Sequence, residues 1–408
     1  MENVVVNRMT ANERRVVGYT SAAHGLNHAV ELVYGAVLAV IGLHFGVSLV
    51  FLGLIANVTS LTYAFSALPA GDASDRLGSK RVVVLSMAGS GVFGLLAAAS
   101  PNIWVLAVSL GAMGIMAGMY HPSGLSFISR SVQQRTRGLA YHGMGGSLGT
   151  AVAPAVAALL AGIYSWRASF AVFALLNVAI ALLVQFSSVS EDTPGSGETS
   201  EKTDAAPPST RSRAVPLTLV FMLNGFFGFI FRGTVVFLPL HLSRRLGFDF
   251  FGLEPVVIGG SFATVALLFG IAGQYLGGEL GHRYKRQVVV IPLTLLSMLA
   301  MVLVGASTGI ALLAAASAFV LFNFMAAPSY NALIADFASD RFHGRAYGFT
   351  SLAIFGVGSF AGGLGGVIAE NHGTEWVFIM MAGVGGIVAA LAYVLYLYIR
   401  AHPEVIAN

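Results

Sequence analysis

His24, Asn27, His28, Glu31 and Tyr34 recur at i, i+3, i+4, i+7 and i+10. On a helix that spacing puts all five on one face. Imidazoles beside a carboxylate can pass a proton, bind a small polar solute or coordinate a divalent metal. Glu31 sits inside an apolar run, about 18 Å by helix rise from its start at residue 19, which is mid-depth in a bilayer. Desolvation there disfavours the charged form, so Glu31 is expected to load and release a proton near neutral pH, with His24 and His28 sharing it. The alternatives are a structural, hydrogen-bonded acid and histidines that only pack.

Other polar residues in apolar surroundings extend the candidate set. Arg232 is the one basic residue inside an apolar run, with Asn224 two turns before it. It could pair with Glu31, hold an anion through its planar fork, or snorkel to the membrane edge about 13 Å away. Further candidates for lining a cavity are Asn57 and Tyr63, His121, Tyr141 and His142, Gln274 and Tyr275, and Asn323 and Tyr330. Each of these could equally join neighbouring helices.

The elements that must position these groups are membrane helices. Of 408 residues 56% are apolar and 10% charged, against about 25% charged in soluble domains. Runs long enough to cross a bilayer, about 20 residues, recur twelve times: 19–45, 47–70, 82–100, 103–127, 138–163, 167–187, 214–241, 252–280, 287–306, 309–335, 345–369 and 374–400. They are continuous and not alternating, so helices and not barrel strands are predicted. The fold class is therefore an all-α membrane protein. There is no cysteine, which excludes disulfides and thiolate chemistry. The net charge of +4 does not point to nucleic acid, because basic residues gather at membrane edges. No cofactor is expected, and no phosphate-cradling loop, nucleophile elbow or metalloprotease motif supports a soluble enzyme. Residues 1–18 lack the features of a removable signal peptide.

Of 22 Lys and Arg, 18 fall on the side that holds both termini; Arg167, Arg244 and Arg245 fall on the other. The positive-inside rule makes both termini cytoplasmic, with 1–18 and 401–408 as cytoplasmic segments. Residues 188–213, polar and without an aromatic, read as a disordered linker between six-helix bundles at 19–187 and 214–400. The bundles look related at an offset of 206, which pairs Gly71 with Gly277, Lys80 with Arg286 and Pro122-Ser123 with Pro328-Ser329. Glycines four apart in the fifth, eighth and eleventh spans, such as Gly145 and Gly149, Gly273 and Gly277, and Gly358 and Gly362, allow close helix packing.

The charged turn from Gly71 to Arg81, between the second and third spans, resembles a loop of the major facilitator superfamily, Gly-x-x-x-Asp-Arg/Lys-x-Gly-x-Lys/Arg. Gly71, Asp75, Arg76, Gly78 and Lys80 fill those places. Gly71 would let a neighbouring helix approach, and Asp75 would face a helix N-terminus. The resemblance implies two pseudo-symmetric six-helix bundles that alternate access to a central cavity. It also implies that spans five and eight, and two and eleven, form the seam, and that Asp75 bonds across it near the start of span eleven. His24-x-x-Asn27, Tyr120-His121-Pro122 and Gly145-Gly146-Ser147-Leu148-Gly149 narrow the likeness to the fosmidomycin-resistance-like branch, which is one of proton-driven exporters. Ser123 and Ser126 depart from the acidic and basic residues of that branch, and no arginine stands near Ser109–Leu110.

A monomeric plasma-membrane transporter is expected, one that moves a small organic solute with protons as the coupling ion, in outward antiport. Two other readings stand beside it. One takes His24, His28, Glu31 and His121 as a transition-metal site in a metal or metal-chelate transporter. The other is a non-transporting sensor or assembly factor with the same fold.

Overall fold

A computed structural model of the chain describes residues 9–133, 135–191, 210–247, 252–337 and 343–405. Helix α1 (Ala11–Phe45) starts two turns before the apolar run. Thr10 and Glu13 form a reciprocal capping box there, and Gly46, at φ 64°, closes the other end. Ser48 caps α2 (Leu49–Leu77), whose last turns take in Gly71 to Arg76. The expected loop therefore shrinks to Gly78, at φ 88°, before α3 (Ser79–Ala98) begins.

The fourth crossing is broken into α4 (Ile103–Gly118) and α5 (Tyr120–Ser131). Pro122 contributes to the break, since it has no amide hydrogen and its ring crowds the carbonyl of Gly118 four residues back, although its counterpart Pro328 sits inside an unbroken helix. Helices α6 (Arg135–Ile163) and α7 (Trp166–Phe186) complete the first half. The second half holds α8 (Thr210–Arg245), α9 (Pro255–Arg283), α10 (Arg286–Ala306), α11 (Gly309–Phe337), α12 (His343–Asn371) and α13 (Thr374–Ala401). Among the described residues, twelve crossings are long and apolar enough to span a membrane. Helix α8 opens at Thr210, inside the expected linker; residues 192–209 of that linker lie outside those described.

The internal repeat reaches the helix ends. Both bounds of α2 recur in α9 206 residues later, and the bounds of the α4–α5 crossing recur likewise in α11. The same offset relates one end of two ion pairs, with opposite polarity. Arg130 at the end of α5 holds Asp75, whereas Asp336, its counterpart in α11, holds Arg286. The second copy lost Asp75, which is replaced by Gly281, but keeps a charge clasp onto the same crossing, made now from the start of α10 instead of the end of the preceding helix.

The halves meet along α2–α12, α6–α9 and α1–α8, which includes both expected seam pairs. A Cβ on Gly53 would lie 2.2 Å from the Gly362 carbonyl oxygen, one on Gly260 2.5 Å from that of Pro154, and one on Gly35 2.8 Å from that of Val235. The Gly363 amide donates to Asn57 Oδ1 (2.7 Å) and the Ala155 amide to Thr264 Oγ1 (3.0 Å). All these residues lie within about 15 Å, by helix rise, of the face opposite the termini. The halves are thus knitted together on that side.

Candidate functional site

The stripe on α1 points into the seam, where five other helices complete it. His24 stacks face to face on His142 of α6, with ring centroids 4.1 Å apart. Its Nδ1 lies 2.8 Å from the His142 carbonyl oxygen. A carbonyl only accepts, so His24 carries its proton on Nδ1. Gly146, one turn along α6, makes room for this ring: a Cβ there would come 2.5 Å from His24 Cε1. The α4–α5 break turns Tyr120 and His121 into the same cluster, with His121 5.0 Å from His24 and 5.2 Å from His28, centroid to centroid. His24 Nε2 and His121 Nε2 are buried without a hydrogen-bond partner in the protein.

One turn further along α1, Glu31 accepts a hydrogen bond from Arg232 of α8. Both side chains are less than a tenth exposed. Their depths agree: each stands about 20 Å, by helix rise, from the far end of its own helix. This is a buried ion pair between the halves, so the snorkelling alternative for Arg232 is set aside. His28 Nδ1 is 3.8 Å from the Glu31 carboxylate. The Arg232 guanidinium lies over Phe355 of α12 (4.8 Å to the ring centre) and Tyr63 of α2 (5.5 Å). The Tyr63 hydroxyl accepts from Asn27 Nδ2 (3.2 Å). Phe355 was missed by the sequence reading, since a phenylalanine in an apolar run carries no signal of its own.

Other candidates lie elsewhere. Tyr34 donates to the Leu52 carbonyl (2.8 Å) and joins α1 to α2. Asn57 and Gln274 join the halves outside the cluster, Gln274 by accepting from Ser147 Oγ (3.1 Å). Asn224 donates to the Val220 carbonyl of its own helix. Asn323 and Tyr330 line a separate cavity within the second half, where the Tyr330 and Thr294 hydroxyls bond. Tyr141 is 41% and Tyr275 71% exposed, so neither joins the buried cluster.

The turn after α2 also differs from expectation. Among the described residues, a Cβ on Gly71 would meet nothing within 4 Å, so none of them uses that glycine for close approach. Asp75 pairs with Arg130 inside the first half; the side chains at the start of span eleven, its expected partner, lie outside the described residues. Arg76 pairs with Asp72 one turn back (3.0 Å). Lys80 Nζ donates to the carbonyls of Ser187 and Val189, and the Glu191 carboxylate accepts from the Ser79 and Lys80 amides at the start of α3. The Asp75–Arg130 pair is substantially exposed, where ion pairs contribute about 0–1 kcal/mol. Asp75→Asn should therefore change unfolding free energy by less than about 1 kcal/mol; a larger loss in a denaturation assay would show that the clasp is structural.

Comparison with known proteins agrees with this architecture. The family model described as Major Facilitator Superfamily matches residues 20–363 and again 260–407. The multidrug resistance protein MdtG of Proteus mirabilis (strain HI4320) is 26% identical over 339 residues, which cover 80% of this chain and 81% of that protein. A probable L-galactonate transporter of Escherichia coli (strain K12) is 24% identical over 248 residues, 57% of this chain and 53% of that protein. The chain thus aligns with about half of that relative's length. Among solved structures, a bacterial homologue of the human lysosomal transporter Spinster, in an inward-facing and unoccupied conformation, superposes with a TM-score of 0.74 at 15% identity, covering 95% of this chain and 98% of that one. With twelve apolar crossings in two repeats and a family match over most of its length, the chain belongs to the Major Facilitator Superfamily.

Proposed function

We propose that the protein is a secondary transporter that carries a small organic solute by alternating access, in exchange for protons and in the outward direction. The observation that carries this reading is the buried Glu31–Arg232 pair, which joins the two halves at mid-depth. Ionisable groups at that depth are costly and are kept for work. A proton on Glu31 would cancel its attraction for Arg232 and free the guanidinium for cargo, so the pair couples ion binding to the contact between halves. Supporting the transport reading, MdtG is named for multidrug resistance and the partial relative for L-galactonate.

The protein works as a monomer in the plasma membrane, with both termini in the cytoplasm; the 18-to-3 distribution of basic residues supports that orientation. On that orientation the face where the halves are knitted together is the outer one. His24-x-x-Asn27 and His121-Pro122, now in one cluster, favour the fosmidomycin-resistance-like branch.

The test is flux in proteoliposomes under an imposed pH gradient, with labelled aldonates, sulfonates and cationic dyes as probes. At least one probe should move faster with the gradient, and Glu31→Gln should abolish that dependence while leaving the protein folded. Flux indifferent to both the gradient and Glu31→Gln would refute proton coupling. Absence of flux for every probe would favour the sensor reading.

A further inference from the structure

We infer that His24, His28 and His121 form a binding site for one divalent transition-metal ion of the zinc, cobalt or nickel type. One ring nitrogen from each lies within 4.8 Å of the others. Zinc holds imidazole nitrogens at about 2.0–2.1 Å, so the ligands of one ion stand about 3.3 Å apart, and modest ring rotation closes the difference. His24 and His28, one turn apart on α1, offer two ligands from a single rigid helix. The α4–α5 break supplies the third.

The surroundings fix which atoms are available. His24 spends Nδ1 on the His142 carbonyl, which leaves Nε2 buried and unpartnered. His121 Nε2 is likewise buried and unpartnered. Buried polar atoms without partners are rare in folded proteins, and here two of them belong to the same trio. His28 turns Nδ1 toward the Glu31 carboxylate at 3.8 Å, which frees its Nε2. An imidazole anchored through one nitrogen and open at the other is the arrangement that orients metal-binding histidines. An all-nitrogen set suits borderline divalent metals and is poor for calcium or magnesium, which take oxygen ligands.

The ligand set differs from the one the sequence offered. Glu31 is engaged by Arg232 and stands behind His28 as its support, not as a ligand. Three histidines leave at least one coordination position open, as in zinc sites that bind a further small ligand. The site needs no assumption about the cargo or the proton.

The experiment uses the purified full chain, without a histidine tag, titrated with zinc chloride and cobalt chloride by equilibrium dialysis and visible absorption. One equivalent per chain is expected, with cobalt absorption bands that zinc abolishes and magnesium leaves intact. His24→Ala and His121→Ala should each weaken binding at least tenfold, and the exposed His402→Ala should leave it unchanged. Glu31→Gln should weaken it while keeping one site per chain. If the His24 and His121 variants fail to fold, His28→Ala, at a side chain that is 20% exposed, decides by the same criterion. Absence of stoichiometric binding, or binding undiminished when the trio is broken, would overturn the inference.

Discussion

Arg232→Leu should destabilise the folded protein by roughly 3–5 kcal/mol, the cost of leaving a buried charge without its partner. Glu31 and Arg232 are each less than a tenth exposed, so water cannot take the place of the missing group. Glu31→Leu should cost a similar amount, for the same reason. The double variant Glu31→Gln/Arg232→Gln should recover most of the loss, because two amides can hydrogen-bond and neither carries charge. Unfolding followed by helical signal in detergent measures all four proteins. A single-variant loss below about 1 kcal/mol would mean that the pair is hydrated, and the coupling role would fall with it.

Gly53→Val should prevent the halves from closing on the face away from the termini. Even a Cβ at Gly53 would lie 2.2 Å from the Gly362 carbonyl oxygen, 2.9 Å from its carbon and 3.2 Å from the Gly363 Cα. These are backbone atoms of α12 and cannot swing aside as a side chain would, so the helices must separate. Closure can be read by cross-linking, and the chain has no cysteine of its own to interfere. Leu49→Cys with Glu370→Cys brackets the closed face, where the Leu49 amide donates to the Glu370 carboxylate. A short bismaleimide should join this pair efficiently, and Gly53→Val should reduce the yield at least tenfold. Gly71→Ala is the control: none of the described residues lies within 4 Å of a Cβ at that position, and alanine should leave the yield unchanged. Undiminished cross-linking in Gly53→Val would show that the glycine contact is not what brings α2 and α12 together.

Much of this architecture is legible in the chain itself. Hydropathy finds the twelve crossings because lipid leaves the backbone few alternatives, and helical spacing puts His24, Asn27, His28 and Glu31 on one face. The partner of that face is harder to read. Arg232 is 201 residues away, and nothing local says whether it turns inward or to the membrane edge; only the fold brings α1 and α8 together. Hydropathy also misplaces the start of α1, because Thr10 and Glu13 stabilise two polar turns through hydrogen bonds that an apolar scale cannot register. Gly71 shows the opposite failure. A motif position implies close packing, yet none of the described residues approaches Gly71, whereas Gly53, outside the motif, meets the α12 backbone.

The bonds from Lys80, Ser79 and Asn12 to Ser187–Glu191 bear on how the molecule can move. They sew the first residues after α7 to the underside of the first half, and α8 picks the chain up at Thr210. Only residues 192–209 are left to run between the bundles. Among the described residues, what joins one bundle to the other is the glycine contacts, the hydrogen bonds beside them and the buried charges where they touch.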